Sequence, residues 1–283
     1  MVKTLYILKF RRVINSTFIY LTLILISTIA LVPIIWVVLS SFRSNIEILS
    51  SGLSLPTRIN LRGYIAAFKL APLHLFFFNS IIISVASTLG NVFILSMAAY
   101  VLARFHFRFR TTIIIVLSTS LMIPMTALML PVYMVVQKLG LYDTRSGLWL
   151  VYTALGLPMS LLILRSYFLT IPKGLEEAAE IDGAGFFQTF IRIILPISQP
   201  GLASAAVLQF LLCWNEFIYA LVLTSSLSSR TLPLSLSYFT SQFTFNYTAM
   251  FAAVTITILP SITIFAIFQE MVVSNMAAGA LKG

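Results

Sequence analysis

Charged residues are scarce in this chain: they make up 9% of its 283 residues, and only eight are acidic. An ordinary soluble domain carries roughly a quarter charged residues. Hydrophobic residues account for 59% of the sequence, and the mean hydropathy is +1.01. This composition excludes a soluble globular domain and predicts a membrane protein.

Residues that build catalytic or metal sites are also few. Cysteine occurs once, as Cys213 within an apolar run, and the two histidines, His74 and His106, are distant in sequence. A disulfide framework and a metal site both need clustered ligands, so we expect neither. The sequence also lacks a G-x-x-x-x-G-K-[ST] loop for ATP and a recognisable nucleophile–base pair. We therefore expect no catalytic residue and no cofactor bound by this chain.

The basic excess has two explanations. A net charge of +10 with a pI near 9.9 would suit a nucleic-acid partner, but the basic residues form no long run or aromatic-interleaved patch. In membrane proteins, Lys and Arg accumulate in cytoplasmic loops. We therefore interpret the positive charge as a sign of the orientation of the chain in the membrane, and we expect contact with lipid and not with nucleic acid.

Six apolar segments reach the length of about 20 residues that a helix needs to cross a bilayer core. The first is too long for the apolar region of a signal peptide, so it is predicted to be an uncleaved helix. Prolines inside the spans predict kinked helices. Residues 1–283 are thus predicted to form a single all-α, polytopic transmembrane domain. The segments are Phe18 to Leu39, Phe76 to Ala103, Thr111 to Val136, Leu148 to Phe168, Leu202 to Leu223, and Ala249 to Val273.

The distribution of basic residues predicts the orientation. The basic turn RFHFRFR, from Arg104 to Arg110, is the densest positive segment, and the positive-inside rule places it in the cytoplasm. Both termini and the loop between the fourth and fifth spans are then cytoplasmic as well. The long loops at 40–64 and 224–250 lie outside, the first long enough for a small structured cap.

One stretch, EEAAEIDGAG, holds four of the eight acidic residues. Glu176 and Glu177 favour the positive N-terminal end of a helix, and Gly183 can adopt the left-handed conformation that ends one. A second helix is predicted after it, ending near Pro196, because apolar residues recur at helical spacing. Segment 171–200 is therefore predicted to be a cytoplasmic helix-turn-helix.

This segment fits two descriptions by physical reasoning alone. Ala178 and Ala179 would let another backbone approach closely, while the carboxylates around them can bind Arg or Lys of a partner. The alternative is a solvated loop whose helix lies at the membrane interface. The residue pattern leaves both open.

A resemblance favours the first description. Glu177-Ala178-Ala179, Gly183 and Ile193-Ile194-Leu195-Pro196 have the spacing E-A-A-x3-G-x9-I-x-L-P, which resembles the EAA coupling loop of permease subunits in bacterial ABC importers. The similarity covers nearly the full chain and is greatest to the carbohydrate, maltose-type branch. Its further stretches are FNSIIIS (78–84), AAYVLARFHFRFR (98–110), KLGLYDTRSGLWLVY (138–152), CWNEF (213–217) and AAGALKG (277–283).

The resemblance implies a permease subunit of the bacterial inner membrane that forms half of a pathway for a sugar or oligosaccharide. It implies a second homologous permease subunit, an extracytoplasmic sugar-binding protein that meets the outer loop at 224–250, and a cytoplasmic ABC ATPase dimer that holds the ATP and Mg²⁺. Contacts with the ATPase would come from Glu176, Glu177, Ala178, Ala179, Glu180, Asp182, Gly183 and Pro196, and from Ala280, Leu281, Lys282 and Gly283 in a cytoplasmic tail at about 274–283.

Candidates for lining the translocation path are Asn79, Trp214, Asn215 and Glu216. An ionisable residue inside a membrane is a functional-site hypothesis by default, so Glu216 either faces a water-filled path or joins helices. It also supports an alternative class, an ion-coupled secondary transporter that would use Glu270 and Arg104 as well. Such carriers usually show inverted repeats or interrupted helices, and the sequence indicates neither.

Overall fold

A computed structural model describes residues 2–52, 54–56, 58–239 and 245–280 of the chain, and in these residues it contains helices and no β-strand. Short 3₁₀ helices cover Met125–Leu128 and Leu232–Tyr238, and a π-helical segment covers Phe190–Ile194. The α-helices are α1 (Val2–Ser40), α2 (Asn45–Ser50), α3 (Arg62–Leu70), α4 (Leu73–Arg104), α5 (Arg110–Ser120), α6 (Met129–Lys138), α7 (Arg145–Leu155), α8 (Leu157–Phe168), α9 (Gly174–Ile181), α10 (Phe186–Thr189), α11 (Leu195–Ile197), α12 (Gln199–Asn215), α13 (Ile218–Leu223) and α14 (Tyr247–Ala280).

Three helical segments are long and apolar enough to cross a membrane unbroken: Ser16–Ser40, Leu73–Arg104 and Tyr247–Met271. Counting bent pairs of helices as spans brings the number in the described residues to six, which confirms the predicted all-α polytopic fold. The pairs are Arg110–Ser120 with Met125–Lys138, bent by 101°, Arg145–Leu155 with Leu157–Phe168, bent by 48°, and Phe186–Ile197 with Gln199–Asn215, bent by 75°.

The third, fourth and fifth spans are each divided into separate helices, where the sequence predicts single kinked ones. Pro124 lies at the 101° break and Pro158 beside the 48° break, because proline removes a helical hydrogen bond and clashes with the preceding turn. The predicted kinks are confirmed at these two positions. The fifth span is interrupted at Glu216 and Phe217, between α12 and α13.

The structure has two compact units. The first falls within Met1–Leu70 and Phe239–Ile256. In it, Arg43 is fully buried and donates hydrogen bonds to carbonyl oxygens of Glu47, Ser51 and Gly52 at the end of α2. Cations are favoured at a helix C-terminus. The loop that follows α1 is therefore structured, as the sequence predicts.

The second unit falls within Ala71–Tyr238 and Thr257–Gly283. Its central helix is α4, which packs against α7, α8 and α12. Polar side chains join these helices: Asn91 Nδ2, for example, donates to the carbonyl oxygen of Thr153 at 2.9 Å. The core towards the C-terminal end of α4 contains Leu95, Ala99, Tyr100, Leu161, Leu164, Phe168, Phe190, Ile194 and Ala205.

Side chains of the fifth span satisfy backbone groups at the breaks of its neighbours. Gln209 Nε2 donates to the carbonyl oxygen of Tyr152 at 2.9 Å, next to the α7–α8 break. Tyr219 Oη donates to the carbonyl oxygen of Met125 at 2.7 Å, where the third span bends. Each bond supplies a donor to a carbonyl near a break, where the regular helical ladder is interrupted.

Gly156 lies at the α7–α8 break and leaves the space that the Gln209 amide fills, since an added Cβ would overlap that amide. Gln209 is buried, and moving its side chain would break its bond to Tyr152. We expect Gly156→Ala to lower the free energy of unfolding by about 1–3 kcal/mol, as overpacking typically does. Thermal unfolding of the detergent-purified protein measures this.

The control for that variant is Gly174→Ala, because an added Cβ at Gly174, the first residue of α9, meets nothing within 4 Å. It should leave the unfolding midpoint unchanged or raise it slightly, since Ala is the better helix former. Equal midpoints for both variants would show that Gly156 is not needed to admit Gln209.

Candidate functional site

The segment 171–200, which contains the acidic stretch, includes two short helical segments joined by a tight turn. Helix α9 ends at Ile181, and Gly183 has φ +79°, in the left-handed region that glycine adopts without strain. The amide of Ala184 then donates to the carbonyl oxygen of Ala179 at 2.9 Å, which closes the end of α9. The second helical segment begins at Phe186. These boundaries agree with those expected from the sequence.

Most of the predicted coupling residues are exposed: Glu177, Ala178, Glu180, Asp182, Gly183 and Pro196. In the described part of the chain, the carboxylates of Glu177, Glu180 and Asp182 form no ion pair. Ala179 differs from the others because it is 4% exposed and belongs to the core. Only the first alanine of the pair is therefore open to the close approach of another protein.

Glu176 also differs from its neighbours. Its carboxylate accepts a hydrogen bond from Arg104 Nε at 2.7 Å, and the side chains are 20% and 5% exposed respectively. Arg104 also donates from Nη2 to the carbonyl oxygen of Ile171 at 2.7 Å. Glu176 thus binds within its own chain in this structure, whereas sequence reasoning grouped it with the carboxylates available to a partner.

Two of the candidate path residues are buried among protein groups. Asn79 is 1% exposed and donates from Nδ2 to the carbonyl oxygens of Ser228 and Arg230. Trp214 is also 1% exposed and donates from Nε1 to the carbonyl oxygen of Thr257 at 2.9 Å. Neither side chain lies at an open surface of this subunit, and their assignment to a path stays a prediction.

The other two path candidates are accessible. Asn215 is exposed at the end of α12, and its Oδ1 accepts a hydrogen bond from Ser261 Oγ at 3.3 Å. Glu216 is half-buried, and its carboxylate accepts from Tyr152 Oη at 2.8 Å and from the amides of Tyr219 and Ala220. Glu216 therefore joins helices and caps α13, while Asn215 remains a path candidate.

The predicted tail residues lie at the end of the described chain. Helix α14 continues beyond the predicted sixth span to Ala280. Leu281, Lys282 and Gly283 lie outside the described residues. Their contact with an ATPase stays a prediction.

Sequence reasoning missed Asp143, the acidic residue that organises the loop after α13. Its carboxylate accepts hydrogen bonds from the amides of Ser225 and Ser226 at 2.8 and 2.9 Å and from the hydroxyls of Ser225, Ser226 and Ser229. Burial alone would raise the pKa of Asp143, but these bonds together hold the pKa well below its ordinary value. The combination of a lone Asp before a helix and a later serine run, TSSLSSR, was the available signal.

The chain belongs to the family described as "Binding-protein-dependent transport system inner membrane component", whose sequence profile matches residues 90–278. It is therefore an inner-membrane component of an ABC transport system and not an enzyme. This family membership does not support the alternative of an ion-coupled carrier. That alternative is also weakened by the contacts of its residues, since Arg104 binds Glu176 and Glu216 caps α13.

Two characterised relatives match almost the whole chain. The trehalose/maltose transport system permease protein MalG of Thermococcus litoralis is 38% identical over 92% of this chain and 94% of its own. The diacetylchitobiose uptake system permease protein NgcG of Streptomyces coelicolor is 36% identical over 92% of this chain and 87% of its own.

A solved structure has the same fold. A chain in the crystal structure of a bacterial ABC transporter involved in import of the acidic polysaccharide alginate matches with a TM-score of 0.79. The match covers 91% of this chain and 96% of that chain, with 22% sequence identity. The likeness establishes the fold.

Substitutions at Gly183 test whether its left-handed backbone is required. An added Cβ there meets nothing within 4 Å, so the cost within this chain comes from the backbone conformation. We expect Gly183→Ala to destabilise the turn by roughly 1 kcal/mol and Gly183→Val by more, whereas Gly183→Asn should be tolerated best because Asn adopts this conformation more readily. Hydrogen exchange of the α9–α10 turn should rank the variants in that order, and identical exchange in all three would contradict the requirement.

Asp143→Asn tests the order of the loop after α13. We expect the amides of Ser225 and Ser226 to exchange roughly tenfold faster in the variant at neutral pH, because each loses a charge-assisted hydrogen bond. Because folding lowers the pKa of this carboxyl group, its ionised form stabilises the folded loop. This stabilisation is fully present above the unfolded pKa of about 4 and is lost as the pH falls below that value. Exchange in the wild type, corrected for the intrinsic pH effect, should therefore approach that of the variant only below about pH 4. A wild-type loop that loosens at neutral pH would contradict this assignment.

Proposed function

We propose that this chain is the membrane-spanning permease subunit of an ATP-driven importer for a sugar or oligosaccharide, and that the segment from α9 to α11 is its docking site for the ATPase. The observation that carries the docking role is the exposed surface of Glu177, Ala178, Glu180 and Asp182. It presents three carboxylates, none of which forms an ion pair within the described residues, around a small residue at the end of a short helix. A basic cleft on a partner is the complementary surface.

The carbohydrate class is supported by the names of the relatives. The permeases from Thermococcus litoralis and Streptomyces coelicolor serve systems for trehalose and maltose and for diacetylchitobiose. The proposed substrate is accordingly a short oligosaccharide. The chain supplies half of the pathway, and a second homologous permease supplies the other half.

Docking to an ATPase requires both termini and the segment from α9 to α11 to be cytoplasmic, in agreement with the positive-inside rule. The loop ordered by Asp143 then lies on the opposite side of the membrane. Its serine amides and hydroxyls are held by one carboxylate, so the surface offered to an extracytoplasmic sugar-binding protein is organised before contact. Preorganisation of this kind lowers the entropic cost of association.

The experiment is purification of the tagged chain from its own membranes, identification of the chains that co-purify, and reconstitution into liposomes. The isolated chain should neither hydrolyse ATP nor take up labelled maltose, trehalose or diacetylchitobiose. Addition of the co-purified permease, ATPase and binding protein should produce uptake that requires ATP and persists when proton and sodium gradients are collapsed. Gradient-driven uptake by the isolated chain would overturn the proposal.

A further inference from the structure

We infer that Arg104 and Glu176 form an internal tether that makes the docking segment move together with α4, so that α4 is the helix through which ATPase motion enters the membrane. The inference rests on the proposed function and assigns a positioning role to a carboxylate that sequence reasoning had placed in the docking surface. The inference is based on a difference between the adjacent residues Glu176 and Glu177. Glu176 faces into the chain and Glu177 faces out.

The side-chain contact of α9 runs to α4, whereas the carbonyl oxygen of Ile197 in α11 accepts a hydrogen bond from Tyr167 Oη on α8 at 3.3 Å. Arg104, the last residue of α4, binds Glu176 on α9 and the carbonyl oxygen of Ile171, just before α9, both at 2.7 Å. In the part of the chain that the structure describes, the side-chain hydrogen bonds between α9 and a membrane-spanning helix all end on α4. The guanidinium of Arg104 therefore binds both α9 and Ile171, which precedes α9 in the chain.

Aromatic rings connect the second half of the docking segment to the same place. The Tyr100 ring on α4 lies 5.6 Å from the Phe186 ring and 5.1 Å from the Phe190 ring. The ring of Phe105, the residue directly after α4, lies 5.5 Å from the Phe186 ring. Both helices of the docking segment thus pack on the last turns of α4, which favours motion of the segment and α4 as one body.

Helix α4 is well placed to distribute such a motion. It packs along α7, α8 and α12, which belong to the two spans that flank the docking segment in sequence. A push delivered to α4 would reach both of them through packed side chains, since close-packed interiors transmit strain. The alternative is that the motion passes along the backbone, from the docking segment directly into α8 and α12.

The chemistry of the pair supports a positioning role over simple stabilisation. Arg104 is 5% exposed, and an ion pair taken out of water gains little net stability because desolvation offsets its attraction. An apolar pair of similar size would pack the segment as well. A charged pair with a second bond to Ile171 fixes one geometry of α9 on α4, since the guanidinium donors have a rigid arrangement.

The test compares Glu176→Gln with Glu177→Gln, the same substitution at adjacent positions, in the complete purified complex with its binding protein. The sole cysteine, buried Cys213, is replaced by alanine. Leu89→Cys then places an environment-sensitive fluorophore on α4, because Leu89 is 66% exposed. Three quantities are measured for each variant: retained ATPase subunit, ATP hydrolysis, and the ATP-dependent fluorescence change at position 89.

We expect Glu176→Gln to retain the ATPase and hydrolyse ATP while the fluorescence change per ATP hydrolysed falls at least roughly fivefold, the lower end of typical coupling effects. Glu177→Gln should instead lose bound ATPase. The exchanged pair Arg104→Glu with Glu176→Arg should recover part of the fluorescence change, because it restores the ion pair but not the bond to the Ile171 carbonyl. A defect in folding alone would not allow this recovery.

An undiminished fluorescence change in Glu176→Gln, with the ATPase bound, would overturn the tether. Loss of the ATPase to the same extent as in Glu177→Gln would also overturn it, because Glu176 would then be a docking residue. A wild-type complex that retains no ATPase would instead overturn the proposed function itself, which separates the two failures.

Discussion

Backbone groups freed inside a membrane must find partners within the protein, because lipid offers none. In the described residues, the third span is interrupted at Pro124, the fourth at Gly156 and the fifth at Glu216 and Phe217, and side chains of the fifth span supply partners at each of these positions. Gln209 bonds the carbonyl of Tyr152, Tyr219 bonds the carbonyl of Met125, and Glu216 accepts the amides at the start of α13. The rest of the membrane unit depends on this arrangement, since without it the bent spans would carry unsatisfied polar groups.

The same requirement explains why polar residues in the spans are poor guides to a translocation path. Asn79 holds the loop that follows α13, Asn91 joins α4 to α7, and Trp214 bonds α14. Each donates to a backbone carbonyl and so joins two segments of the protein, although the Oδ1 atoms of Asn79 and Asn91 are buried without a hydrogen-bond partner among the described residues. Asn215, exposed at the end of α12, is the candidate for which a path role remains.

The docking segment combines two different kinds of acidic residue. Glu176 is paired inside the chain, whereas Glu177, Glu180 and Asp182 are exposed. A helix of eight residues has two sides, and adjacent residues on it point about 100° apart. One short acidic run can therefore bind its own membrane unit and still present negative charge to a partner.

The sequence by itself determined the class of fold, the six apolar spans, the helix–turn–helix and the left-handed Gly183, because these depend on hydropathy, helical periodicity and local backbone preference. Only the tertiary structure decided that Glu176 meets Arg104, that Ala179 is buried beside an exposed Ala178, and that Asp143 orders a loop more than 80 residues away. The tertiary structure also decided which side chains form hydrogen bonds with the backbone groups at the breaks in the spans. The physical reason is that local preferences describe what each segment can form, whereas the partner of a polar side chain depends on which distant segment packs against it.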